Sequence, residues 1–282
     1  MPWAAIGLHL VALVLYPGLV LIVAVGVLAE GAASLAIDHA GLRAAPLAAV
    51  RRLREGAARA WSLLLGTALL TALAATQLAV PVNPLSSLER NLLVAAVSIA
   101  AAIWLSWGWA WSAPGARVAL VMQACWLVAM LSPAIVSETL RPQVLGAVTV
   151  PVQLPLKALS GVLYVVCLPA LLPLVGESPL SVGEPPRGMG PGVAATRVLL
   201  WLPLCGLGVS LFLPPPSDDA GGSLRFVAAT MGVALIAIAL AAALRRALKA
   251  DLQSIYLRVA SALAAVVLVV TALTAALTSA VA

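Results

Sequence analysis

Residues 2–29 read PWAAIGLHLVALVLYPGLVLIVAVGVLA, 28 residues without an Asp, Glu, Lys or Arg. A helix needs roughly 20 apolar residues to cross the hydrocarbon core of a bilayer. The stretch is too long for the apolar part of a signal peptide, and it has neither a charged leading region nor a clear cleavage site. It reads as a first transmembrane helix. The rest of the chain has the same character: 63% of the 282 residues are hydrophobic, 9% are charged, and the mean hydropathy is +1.11. A soluble domain carries about a quarter charged residues, so this chain cannot cover itself with polar surface, and its solvent is lipid. Only helices and closed barrels satisfy their backbone there. The apolar stretches are rich in Leu, Ala and Val and lack the period-2 alternation of barrel strands. The expected fold is an all-α integral membrane protein, one membrane domain over residues 1–282.

Eight stretches meet the length requirement, at about 4–29, 60–80, 91–112, 116–137, 157–175, 192–213, 223–244 and 254–280. A further apolar stretch, QVLGAVTVPVQLPL at 143–156, is broken by Pro151 and Pro155 and reads as an interfacial or re-entrant piece. Kept apart from the fifth span, it lets Lys157 snorkel instead of lying in lipid.

Charge orients the spans. With the loops after spans 1, 3, 5 and 7 on one side, that side holds Arg43, Arg51, Arg52, Arg54, Arg59, Arg117, Arg187, Arg197, Arg245, Arg246, Lys249 and Arg258. The other side holds Arg90, Arg141, Lys157 and Arg225, with the Asp218–Asp219 pair. Twelve cations against four make the first side cytoplasmic and leave both termini outside, in the cytoplasmic (inner) membrane of a bacterium or archaeon. The net charge of +6 follows from these short loops, so a nucleic-acid partner is not expected.

The first cytoplasmic loop is the longest and most basic. In AAPLAAVRRLREGAARAW (44–61), Pro46, Val50, Leu53, Ala57 and Trp61 follow a 3–4 spacing, and Arg52, Glu55 and Arg59 repeat on another face. That pattern predicts an amphipathic helix at the membrane interface. Its basic residues, Arg43, Arg51, Arg52, Arg54 and Arg59, would hold anionic lipid or dock a cytoplasmic partner. Trp104, Trp107, Trp109 and Trp111 in WLSWGWAW read as interface anchors. Cys125, Cys167 and Cys205 lie far apart inside apolar spans and read as small buried hydrophobes. His9 and His39 are isolated, and no Walker motif, GxGxxG, HExxH or hydrolase elbow occurs. No catalytic constellation and no metal site are expected.

Several of these patterns together resemble one family, the membrane subunit that joins the arms of respiratory complex I (the NADH dehydrogenase subunit 1 family). The similarity is strongest to its formate hydrogenlyase subunit 4 branch, among the group 4 membrane-bound hydrogenases. LYPGLVLIVAVGVLAEG (15–31) resembles the first helix of that branch through Tyr16, Pro17, Gly18 and Glu30. GLRAAPLAAVRRLREG (41–56) resembles its basic first loop through Arg43, Pro46, Arg51 and Arg52. SAPGARVALVMQ (112–123) resembles the opening of its fourth helix through Gly115, Ala116 and Arg117. PLSVGEPPRGMGPG (179–192) resembles the acidic loop after its fifth helix, with Pro179, Glu184 and Gly192 in matching places.

The departures concern acids. The family's intramembrane Glu of the fourth helix falls here near Cys125 and Trp126, its loop Asp is Ser181, and later carboxylates are replaced by residues such as Pro186, Gly188 and Thr196. Glu177 stands where the family usually has a basic residue. In the family these acids form the proton path and line the quinone cavity, so the resemblance implies a reduced proton path. It implies eight core helices, antiporter-like membrane subunits and a cytoplasmic redox module as partners, iron–sulfur clusters held by those partners, and room for a quinone at the cytoplasmic interface. The candidates for proton relay or subunit docking are Glu30, Glu177, Glu184, Arg117, Arg187 and Arg197. A carboxylate beside an arginine stays ionised, so Glu184 with Arg187 or Arg197 reads first as a structural ion pair. A stand-alone transporter or channel is the competing expectation, and a purely structural membrane scaffold is the third.

Overall fold

The computed structural model describes residues 7, 10–37, 44–107, 113–147, 150–174, 190–247 and 252–281. Among these, all regular structure is helical: α1 (Leu19–Ala36), α2 (Ala44–Arg59), α3 (Trp61–Thr76), α4 (Leu92–Trp107), α5 (Ala113–Val136), α6 (Pro142–Ala147), α7 (Leu154–Leu171), α8 (Gly190–Phe212), α9 (Ala220–Ala247) and α10 (Leu252–Val281). A short 3₁₀ turn, Pro151–Gln153, leads into α7. Six helical segments are long and apolar enough to cross a membrane, among them Leu10–Ala36, Ala195–Phe212 and Ala220–Arg246. A seventh is reached if α2 and α3 count as one bent span, and Leu92–Ser106 is a shorter apolar helix.

The sequence accounts for the breaks. Residues 10–14 are helical, but the helix opens at 15–18 around Pro17, which has no N–H to continue the ladder. α2 and α3 meet at Ala60 and are bent by 118°. Trp61 therefore starts α3 and does not extend the apolar stripe of α2. The segment 143–156 divides: α6 stands apart, whereas residues from Pro151 onward run straight into α7. Prolines suit that first turn because their missing N–H is unneeded there. Lys157 is accommodated within α7 by donating from Nζ to the Gly146 carbonyl oxygen at 2.7 Å.

α8 is the axis of the bundle. It packs against α1, α2, α3, α4, α6, α7 and α9, and almost all of Ala195–Phe212 is enclosed. α9 and α10 turn large aliphatic side chains outward, including Leu235, Ile236, Leu268 and Val269, as lipid-facing helices do. Contacts between residues far apart in sequence define one end. Tyr16 Oη donates to Ser223 Oγ at 3.0 Å, the Ala79 N–H to Ser210 Oγ at 3.0 Å, and the Leu92 N–H to the Leu140 carbonyl at 2.8 Å. Arg90 closes this end by donating to the carbonyls of Leu85 and Leu78, and its burial pushes the guanidinium below its ordinary value. The opposite end carries α2, Glu30 and Arg197, and there Arg245 Nε donates to the Leu174 carbonyl at 2.7 Å.

Candidate functional site

The charged core of the protein is built on Glu30. This residue lies in the second half of α1 and its side chain is fully buried. Burying a lone carboxylate costs several kcal/mol even after relaxation, roughly as much as a small domain's whole stability margin. The structure meets that cost with four donors. Arg197 of α8 grips both oxygens: Nε lies 2.9 Å from Oε2 and 3.2 Å from Oε1, and Nη2 also donates to Oε1. Trp201, one turn further along α8, donates Nε1 to Oε2 at 3.1 Å. Arg52 Nη1 of α2 completes the set on Oε1.

One carboxylate thus faces two guanidiniums. The planar fork of an arginine matches a carboxylate and fixes both partners in orientation. The cluster therefore joins three elements, α1, α2 and α8, at a single point. Both Glu30 oxygens accept hydrogen bonds, so protonating the carboxylate requires one of these donors to move away.

Backbone proximity makes the pairing possible. Gly26 sits one turn before Glu30, and a Cβ added there would meet the Val198 carbonyl oxygen at 1.9 Å. Only a glycine lets α1 come this close to α8 beside Arg197. α2 approaches with small residues: Ala45, Ala49 and Gly56 are buried, and Arg52 shares their face.

The other residues singled out from the sequence lie elsewhere. Arg51 is exposed and pairs with Glu55 one turn on, at 2.6 Å. That contact holds the Glu55 carboxyl below its ordinary value, chiefly through the hydrogen bond from Arg51. Arg54 and Arg59 are exposed on α2, and Arg117 is exposed in the first turns of α5. Arg52, Glu55 and Arg59 therefore do not act as one face: Arg52 turns inward to Glu30 while Arg51 takes Glu55. Pro46, Val50 and Ala57 remain exposed as a separate apolar strip. Glu177, Glu184, Arg187 and Arg43 lie outside the described residues, as do His9, His39, Trp109 and Trp111. Glu30, 167 positions away, is a carboxylate partner of Arg197; the expected pairing of Glu184 with Arg187 or Arg197 involves Glu184, which lies outside the described residues.

The chain matches no family model and no curated protein.

Two participants were not singled out in the sequence, Trp201 and Gly26. The signal for each was present: Trp201 follows Arg197 by four residues and Gly26 precedes Glu30 by four, the spacing that puts two residues on one helix face. Cys125, Cys167 and Cys205 are free thiols buried in the core, as expected of small hydrophobes. Among the described residues, no group of three or more His, Cys, Asp or Glu is placed to hold a metal ion.

Proposed function

We propose that this chain is a core membrane subunit of a redox-driven, ion-translocating complex of the complex I or group 4 hydrogenase type. It anchors a cytoplasmic electron-transfer module to the membrane arm and retains a reduced proton path. The observation that supports this reading most is the Glu30 cluster. It joins the acid at the end of the first helix, an arginine of the basic first loop and the head of the helix that follows residues 176–191. Glu30 and Arg52 belong to two of the segments on which the resemblance rests, and Arg197 lies just beyond a third.

In this reading the chain crosses the membrane eight times, with α3 and α4 as the two short crossings, and both termini face outward. α2 lies along the cytoplasmic interface, its strip of Pro46, Val50 and Ala57 toward lipid and Arg51, Arg54 and Arg59 toward headgroups and the docked module. Antiporter-like subunits pack against the bundle's sides. The chain supplies no catalytic group: iron–sulfur clusters belong to the partners, and a quinone would sit at the cytoplasmic interface.

A scaffold that moves no proton is the second reading, favoured by the full occupancy of Glu30. A stand-alone transporter is less well supported. The buried hydroxyls of Thr67, Thr71 and Thr230 donate back to carbonyls of their own helices at 2.8–2.9 Å, which spends them on the backbone.

Purification in mild detergent, with identification of co-purifying chains, tests the proposal. Recovery with redox and antiporter-like subunits is the expected result, and recovery as a monomer that transports a solute in liposomes overturns it. Within the assembled complex, Glu30→Gln and Glu184→Gln separate relay from anchor. Unchanged proton translocation in both variants assigns the cluster to the scaffold.

A further inference from the structure

α2 packs on the bundle through one face, where Ala45, Ala49 and Gly56 are buried and Arg52 reaches Glu30. The rest of its circumference is open. At about 100° per residue, the exposed Pro46, Val50 and Ala57 fall within about 40° of one another and form an apolar edge. Arg54 borders that edge, about 40° beyond Val50, and Arg51 and Arg59 follow round the exposed side. Large apolar groups are not withdrawn from this surface: Leu47 is 68% exposed and Val50 52%.

Charge and chain path say what lies against it. The outward side carries Arg51, Arg54 and Arg59 against Glu55, the one acid of residues 44–76, a net charge of +2. Arg51 and Glu55 hold each other at 2.6 Å, so Arg54 and Arg59 dominate the outward field. At Ala60 the chain bends by 118° into α3. α3 starts at the exposed Trp61 and continues with exposed Leu65, Leu69 and Leu73, an uncharged row at four-residue steps on one helix face. A tryptophan at such an elbow suits the membrane interface, and the row below it suits hydrocarbon. With a bend within about 30° of a right angle, α2 cannot continue that crossing and lies over the interface instead.

The geometry points to α2 as a recognition surface for the anionic phospholipids of the bilayer. Its apolar edge enters the boundary between headgroups and acyl chains, and Arg54 and Arg59 take the headgroup phosphates. A guanidinium fork matches phosphate oxygens, and the alkyl stem of Arg54 can lie along the apolar edge while its charge stays among the headgroups. An acidic protein face would match the arginines, but hydrocarbon is what the α3 row requires beside the same elbow. The inference rests on the interfacial placement of α2 proposed above and not on the complex that the chain joins.

The full chain, delipidated in detergent, is titrated with dioleoyl phosphatidylglycerol or dioleoyl phosphatidylcholine, and binding is read as protection of residues 44–59 from amide exchange. Phosphatidylglycerol is expected to protect at lower concentration. Arg54→Gln and Arg59→Gln should each weaken its binding roughly fivefold, the contribution of one cation near an anionic surface. Glu55→Gln, which releases Arg51 from its pair, should strengthen binding by a similar factor. Arg225→Gln removes an exposed cation at the other end of the bundle and leaves the preference unchanged. All four side chains are at least partly exposed, and equal melting temperatures check that the variants fold. In native membranes, a photo-crosslinking benzoylphenylalanine in place of the exposed Ala58 is expected to label phospholipid. Equal protection by the two lipids, binding unchanged in both arginine variants, no gain in Glu55→Gln, or a preference lost in Arg225→Gln each overturns the inference. Labelling of a protein chain at position 58 also overturns it while leaving the complex reading standing, so the two fail separately.

Discussion

Gly26 of α1 lies directly against the backbone of Val198 in α8, so close that a Cβ on Gly26 would fall 1.9 Å from the Val198 carbonyl oxygen. The obstacle is backbone within the most enclosed helix of the bundle, so the neighbour cannot rotate away as a side chain would. One turn further, the same helix pair carries Glu30 and Arg197. Close approach and ion pair are parts of one contact.

Gly26→Ala is therefore expected to force α1 from α8 and to lower stability by about 1–3 kcal/mol or more, the usual range for overpacking. Gly232 is the control, because a Cβ there meets nothing within 4 Å. Gly232→Ala should gain up to about 1 kcal/mol from helix propensity, since the added Cβ meets no neighbour. Melting temperatures of the purified chain in one detergent compare the two, and an equal response to both substitutions would refute the close-contact account.

Removing one member of the buried pair leaves the other uncompensated. Glu30→Ala and Arg197→Ala should each cost about 3–5 kcal/mol. The double variant should cost clearly less than the sum, since neither charge is then stranded. A double-mutant cycle on denaturation measures the coupling, and additive losses would show that the two side chains act independently.

Arg52 and Arg51 are neighbours with different duties. Arg52 ties α2 to Glu30, whereas Arg51 makes an exposed pair with Glu55. Arg52→Ala should loosen α2 and raise amide exchange across residues 44–59, while Arg51→Ala leaves exchange there unchanged. Hydrogen exchange followed by peptide mass spectrometry distinguishes them. At high salt the Arg52→Ala effect should persist, because a buried pair is screened much less than an exposed one.

Asp219 caps α9. Its Oδ1 accepts from the Gly222 N–H and from Ser217 Oγ, and these bonds, the Gly222 one first, hold the carboxyl below the ordinary aspartate value of 3.8. A carboxyl depressed in the folded state adds stability that is present above its ordinary value and disappears as pH falls through the folded value. Wild-type protein should lose this increment below about pH 4. Asp219→Ala removes the cap at every pH and flattens that part of the profile. Melting curves between pH 3 and 7 check it, and a profile identical to wild type contradicts the assignment.

Much of the molecule was legible without coordinates. Long apolar stretches such as 195–212 and 254–278 favour helix, because each backbone group then finds its partner within the segment. Ala195–Phe212, Ala220–Arg246 and Ser254–Thr278 appear where composition put them, whereas the first segment runs on to Ala36, past the expected end at 29. The basic helix after the first span was readable too, since a 3–4 repeat is a local property. Glu30 and Arg197 were each marked as candidates, being charges beside apolar spans. Their partnership was not. A sequence separation of 167 says nothing about which helices touch.

The sequence by itself determined the helical class and the apolar character of the long segments, for backbone groups in such segments find their partners within the segment. Only the tertiary structure decided which charge meets which. That choice rests on packing: Gly26 lets α1 reach α8, Ala45, Ala49 and Gly56 let α2 fold down beside them, and the bend at Ala60 aims Arg52 at the carboxylate. Shape placed Glu30 within reach of two arginines, and the cost of an unpaired buried charge then fixed the arrangement.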